Sequence, residues 1–181
     1  MFSSPCLELP MMVRFPVLLL CCLPLFAWAD AVQDKADAGD AEAQYQVAVR
    51  YAEGEGVGKN PEEAAKWFQK SADNGDVDAM VMMGILFENG QGVKKDLSQA
   101  AQWYEKAAQR GHSEGQYYIA MMYAYGQGVK KDLLQAGKWL EVGAANKDER
   151  AVRARDAVQK LMTPQQIVEA RKWAKEFKPG K

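Results

Sequence analysis

The sequence predicts an all-α fold, a solenoid of about three helical hairpins closed by a shorter C-terminal hairpin, and three observations carry that prediction. First, one heptapeptide is written three times, as Gly54-Glu55-Gly56-Val57-Gly58-Lys59-Asn60, Gly90-Gln91-Gly92-Val93-Lys94-Lys95-Asp96 and Gly126-Gln127-Gly128-Val129-Lys130-Lys131-Asp132. The starts differ by 36 residues (90 − 54 and 126 − 90), a period in the range of stacked repeat architectures. Second, the same offset superposes Ala48, Gly84 and Ala120, then Tyr51, Phe87 and Tyr123, then Trp67, Trp103 and Trp139. Third, each unit divides into two runs of helical periodicity, about 40–53 and 61–73 in the first copy. In the first run Ala43, Val47, Ala48 and Tyr51 recur at spacings of three and four and so share one buried face.

The elements follow in order. Residues 1–29 read as a secretory signal: Arg14 precedes an apolar run of about 12 residues, Phe15 to Phe26, closed by Ala27-Trp28-Ala29, with cleavage expected before Asp30. A run of that length is too short to cross a bilayer as a helix, so no stable membrane insertion is expected after cleavage, and the protein is expected in the periplasm or outside the cell. Met11 or Met12 would serve as a conventional start. All three cysteines, Cys6, Cys21 and Cys22, fall in this segment, leaving the mature chain no thiol to pair in an oxidising compartment. The competing reading lipidates Cys21 or Cys22, although Leu20 before Cys21, and Cys21 before Cys22, fit that processing poorly.

Residues 30–38 form a lead-in, expected either to cover the first unit as a short helix or to fray. Three repeats then span 39–74, 75–110 and 111–146. In each, the first glycine of the loop (Gly54, Gly90, Gly126) stands where a helix ends in a left-handed residue, and the valine of the loop (Val57, Val93, Val129) is expected to plug back onto the core. Asn60, Asp96 and Asp132 are N-cap residues of the second helix, and Glu63, Gln99 and Gln135 three positions on complete the pattern of a capping box. In the second helix, small and large residues alternate (Ala64, Ala65, Trp67, Phe68, Ala72), and the indoles are read as packing between units rather than as ligand platforms.

Residues 147–181 supply the cap. Ala151, Ala154, Val158 and Leu161 share one face; Thr163-Pro164-Gln165-Gln166 is a further capping box; Ile167, Ala170, Ala174 and Phe177 share the inner face of a last helix, with Arg171, Lys172, Lys175 and Glu176 outward. Had the period held, that last cap would fall at 132 + 36 = 168; it falls at Thr163. The terminal unit has therefore lost about five residues, chiefly its glycine loop, as befits the end of an apolar stack.

Several chemistries are excluded. Twenty-three basic against 24 acidic residues leave no global field for nucleic acid or anionic membrane. One histidine, His112, and no mature cysteine provide neither a metal site nor, with no orienting carboxylate placed beside His112, a nucleophile and its base; His112 or Ser113 is expected to cap the next helix. No cofactor is expected. The glycine loops lack the preceding strand and the Gly-Lys-Ser/Thr ending of a phosphate cradle, and Lys94-Lys95 and Lys130-Lys131 read as solvated loop charge.

The pattern Ala-Xaa-Tyr…Gly-Xaa-Gly-Val…Asp…Ala…Trp-Tyr-Xaa-Lys-Ala-Ala, best developed from Gly90 to Ala108, resembles the Sel-one-like repeat family, relatives of the tetratricopeptide repeat, over about residues 39–146. Departures are mild: Trp139-Leu140-Glu141-Val142-Gly143 lacks the Tyr and Lys, and Gly115 replaces an Ala. The resemblance implies a right-handed superhelix that binds proteins or peptides. Carried onto this register, the groove positions of tetratricopeptide relatives imply a binding face of Glu42, Tyr45, Val49 and Glu53, then Asp78, Val81, Ile85 and Asn89, then Glu114, Tyr117, Met121 and Tyr125. This set mixes apolar anchors with carboxylates and has no lysine or arginine. Tyr45 and Tyr117 stand open between groove and repeat packing; Tyr125 and Met121 depart from the other copies. The leading expectation is a non-enzymatic periplasmic scaffold or adaptor. One alternative is a hydrolase of cell-wall or β-lactam chemistry, since cysteine-rich secreted relatives are described in those terms, although this chain lacks their cysteine pairs. Another is a regulatory subunit of an envelope complex.

Overall fold

The computed structural model describes residues 31–180, so the expected signal segment and its cysteines lie outside the described residues. Among the described residues there are helices and no strands. A lead-in, α1, is helical over residues 31–37 and buries Val32 and Ala36 on the first repeat. The repeats follow as α2 (Ala41–Glu53) with α3 (Pro61–Asp73), α4 (Val77–Asn89) with α5 (Leu97–Gln109), and α6 (Ser113–Tyr125) with α7 (Leu133–Ala145). The cap is α8 (Glu149–Gln159) and α9 (Pro164–Glu176). From α2 to α8 each helix packs on the next in sequence, giving an α-solenoid, and α9 folds back on α7.

Caps set the boundaries. Asp40, Asp76 and Asp148 each accept an N–H of the following first turn, at 2.8, 2.8 and 3.3 Å for the third residue on. His112 does the same through Nδ1, which takes the Gly115 N–H at 3.3 Å, as expected for its place at the repeat junction. Gly54, Gly90 and Gly126 end the first helices at φ of 83°, 73° and 74° and return their N–H groups to the last turn.

The second helices are capped differently from expectation. Asn60, Asp96 and Asp132 accept from Glu63, Gln99 and Gln135 N–H as predicted, but the reciprocal half of the box is absent. The N–H of each cap residue is already spent on a carbonyl of the first helix, Tyr51, Phe87 or Tyr123, at 2.8–2.9 Å. The glutamate or glutamine side chain is then released, and Glu63 turns to Lys66 at 2.6 Å. Among the described residues only Thr163 and Gln166 form the complete box, the Thr163 N–H donating to the Gln166 amide oxygen at 2.9 Å.

The core runs between paired helices. Gly84 lets the Tyr104 ring lie so close that a Cβ there would fall 2.4 Å from the ring, and the Tyr104 hydroxyl donates to Glu88 at 2.8 Å. Buried Gln44 and Gln116 donate across the junctions to the Ala36 and Ala108 carbonyls and accept from Asn74 and Asn146 at the ends of their own repeats. At the equivalent place in the middle repeat stands apolar Met80. Val93 and Val129 are half-buried plugs, but Val57 is 37% exposed, because its loop has no preceding repeat to lean on.

The cap departs from its predicted face at one residue. Leu161 is 68% exposed, since α8 ends at Gln159 and the chain turns at once; buried Met162 takes the inner place, its Cε filling the space over Gly137. Beyond it, Trp173 of α9 and Phe177, which caps that helix, meet Trp139 edge-on, with ring centroids 5.1 and 5.4 Å away.

Candidate protein-binding surface

The first helices α2, α4, α6 and α8 repeat one set of outward positions every 36 residues, so the period of the sequence becomes rows of side chains across the stack. Glu42, Asp78 and Glu114 stand in the first turns, with Glu42 and Asp78 exposed and Glu114 half-buried. Glu53, Asn89 and Tyr125 occupy the last turns, all exposed. Between the two rows lies a floor of half-buried Tyr45, Val49, Ile85 and Tyr117, each resting on the core, with Met121 half-buried beside them. Tyr45 and Tyr117 thus belong to both readings: Tyr45 packs edge-on against Phe68 at 5.4 Å and Tyr117 against Tyr118 at 5.6 Å, while each keeps an accessible part. Val81 is corrected. It is 3% exposed and belongs to the core, because a valine stands where the flanking repeats carry tyrosine and does not reach the surface.

Tyr125 is the outlier of the set, a large aromatic ring 68% exposed at the end of α6. One repeat on, the same row places the equally exposed Leu161.

Two further side chains join this face that the sequence reading left out. The first is Arg150, one period after Glu114 (114 + 36). Its guanidinium lies 3.0 Å from Glu114, 3.2 Å from Asp148 and 5.2 Å from the centroid of the Tyr117 ring. The face therefore does contain an arginine, because α8 keeps the repeat period even though the loop after it is lost. The second is His112, whose Nε2 lies 2.8 Å from Asp78, so a carboxylate does stand beside it. Neither ring nitrogen remains to act as a base on a hydroxyl, since Nδ1 serves as the helix cap.

The electrostatics of the face are graded. Burial raises the Tyr45 hydroxyl, and the charges of Asp78, Asp76, Glu42 and Glu114 raise it further. Asp76 is raised by burial and by Asp78 and Glu42, against the opposing pull of the Ala79 N–H. At the other end burial would raise Asp148, but hydrogen bonds from Arg150 and from the Arg150 and Ala151 N–H groups outweigh it and hold the carboxyl below its usual range. Arg150 is raised by its hydrogen bonds to Asp148 and Glu114. Among the described residues no group of three or more His, Cys, Asp or Glu is placed to hold a metal ion, and no helix is long and apolar enough to cross a membrane.

The sequence profile of the Sel1 repeat matches residues 41–76, 77–112 and 113–148. The chain belongs to the Sel1 repeat family. Each matched Sel1 unit begins two residues after the units read from the sequence and keeps the 36-residue period. Among solved structures, a Sel1 repeat protein from Oxalobacter formigenes is 35% identical, with a TM-score of 0.67 over 70% of this chain and 96% of that one. A protective antigen of uropathogenic Escherichia coli with an SLR fold is 29% identical, TM-score 0.54, over 85% of this chain; the match spans 41% of the antigen. Cysteine-rich protein B of Helicobacter pylori shares the fold at 22% identity and a TM-score of 0.54, over 73% of this chain and 92% of that one. No curated protein matches the chain. Sel1 repeat proteins are generally protein-interaction scaffolds without catalytic activity of their own.

Proposed function

We propose that this chain is a non-enzymatic adaptor that captures a protein or peptide on the face formed by α2, α4, α6 and α8, and that it works in the periplasm or outside the cell. The carrying observation is Tyr125, 68% exposed and four residues from half-buried Met121; among the described residues the other exposed large apolar side chains are Val57, Leu161 and Val168. Exposed apolar groups clustered in this way mark interaction sites, and aromatic anchors commonly dominate their energy. A photo-crosslinking amino acid at position 125 is expected to trap the partner in intact cells. Tyr125→Ala with Met121→Ala is then expected to leave helicity and the unfolding midpoint nearly unchanged while weakening capture at least about tenfold, or ~1.4 kcal/mol. Capture that survives both substitutions but is lost on changing Lys94-Lys95 or Lys130-Lys131 would move the working surface to the loop edge.

Delivery across the membrane rests on Arg14, the apolar run to Phe26 and Ala27-Trp28-Ala29. N-terminal sequencing of the exported protein is expected to begin at Asp30. A lipid-modified Cys21 or Cys22 as first residue would refute that processing.

A further inference from the structure

Along the row of first turns, each carboxylate faces a group contributed by the next repeat. Glu114 faces Arg150, held also by Asp148 and lying over the Tyr117 ring. Asp78 faces His112 at 2.8 Å. Glu42, at the head of the row, has no cation from the next repeat beside it among the described residues, and the equivalent group there is the carboxylate Asp78. Two periods before Arg150 stands Asp78 (150 − 72), two before Asp148 stands Asp76, and two before Tyr117 stands Tyr45. The first slot thus has the aromatic ring and the acids of the third, with a further acid in place of the cation. Among the described residues the side-chain partner of Glu42 is the Gln46 amide at 3.1 Å, and Asp78 keeps 70% of its side chain exposed. By the register of the repeats, Glu42 and Asp76 hold the places about Tyr45 that Glu114 and Asp148 hold about Tyr117.

Arg150 is in effect a ligand that the chain supplies to its own third slot. We infer that the first slot takes the corresponding group from outside: an arginine side chain of the bound protein or peptide, seated over Tyr45 against Glu42, Asp76 and Asp78. A planar guanidinium suits this slot better than an ammonium, since it stacks on the ring and donates to two carboxylates in its own plane. The inference rests on the binding function proposed above and names one feature of the partner.

The test uses a blocked pentapeptide, acetyl-Ala-Ala-Arg-Ala-Ala-amide, and the same peptide with neutral citrulline for arginine, titrated into the 15N-labelled protein. The arginine peptide is expected to shift amides of residues 41–45 and 76–79, and the citrulline peptide to shift them at least fivefold less at equal concentration. Glu42→Gln with Asp78→Asn is expected to abolish the response. Arg150→Ala is expected to open the third slot, so that the arginine peptide also shifts residues 114–117 and 148–151. Equal responses to the two peptides, or shifts scattered over all surface carboxylates, would overturn the inference, as would a folded Arg150→Ala protein whose third slot stays silent. Should Arg150→Ala fail to fold, the comparison of the two peptides on the unaltered protein decides. Tyr125-dependent capture without arginine preference would refute the slot alone; loss of both would refute the binding face.

Discussion

Trp103→Ala is expected to lower the free energy of unfolding by about 3–5 kcal/mol, the range for truncating a buried tryptophan. Trp103 is 6% exposed in α5, the second helix of the middle repeat, with the Lys106 ammonium 3.8 Å above its ring. It borders a depression shared with Ala72 of the first repeat and Met80 of α4, so its removal opens the junction on which the stack depends. In a linear array each repeat is stabilised through its neighbours. A defect at the centre therefore weakens both halves, against a total stability of about 5–15 kcal/mol for a typical domain. Urea denaturation followed by far-UV circular dichroism measures the change. A loss below ~1 kcal/mol would mean that the indole is not part of the core and is free to bind a partner.

The fold was legible because period, cap and core repeat together, each copy checking the others. Trp67, Trp103 and Trp139 superpose in sequence and are all buried. The register also held one residue set further than it was read: Asp148 caps α8 where Asp40, Asp76 and His112 cap α2, α4 and α6, and Arg150 follows Glu42, Asp78 and Glu114. Arg150 was missed because the glycine loop, the conspicuous mark of the repeat, is absent after α8. The departures of the third repeat were a readable sign of the cap's position. Gly143 leaves room for Ala151, 2.8 Å from where its Cβ would lie, and Gly137 leaves room for Met162. Other features lie beyond any one-dimensional pattern. The carbonyl that satisfies the Asn60 N–H belongs to a different helix, and Val81 and Tyr117 occupy the same repeat position yet differ in exposure through side-chain length.

The loop glycines separate what sequence shows from what stacking adds. Gly56, Gly92 and Gly128 share one motif and one conformation, with φ of 72°, 69° and 68°. Their surroundings differ. A Cβ on Gly92 would fall 2.0 Å from the Pro61 carbonyl oxygen and one on Gly128 2.1 Å from that of Leu97, each the first residue of the second helix one repeat earlier; Gly56 has nothing within 4 Å. The Gly128 loop is tied down further by the Ser98 hydroxyl, which donates to the Gly128 carbonyl at 2.9 Å. Gly56→Ala is expected to cost only the left-handed strain of a side chain, about 1–2 kcal/mol. Gly128→Ala adds overpacking of roughly 1–3 kcal/mol against backbone that cannot rotate aside, for a total of about 2–5 kcal/mol. The two proteins, unfolded in urea side by side, isolate the contact between repeats, because backbone strain is common to both. Equal losses would show that the loop shifts freely off the preceding helix and that its glycine serves the turn alone. A loss at least about 1 kcal/mol larger for Gly128→Ala, the low end of the overpacking range, would show that the second glycine of the motif is kept small by the neighbouring repeat. On that result the first loop, which has no such neighbour, is the one place in the array where the motif can be altered without loosening the stack.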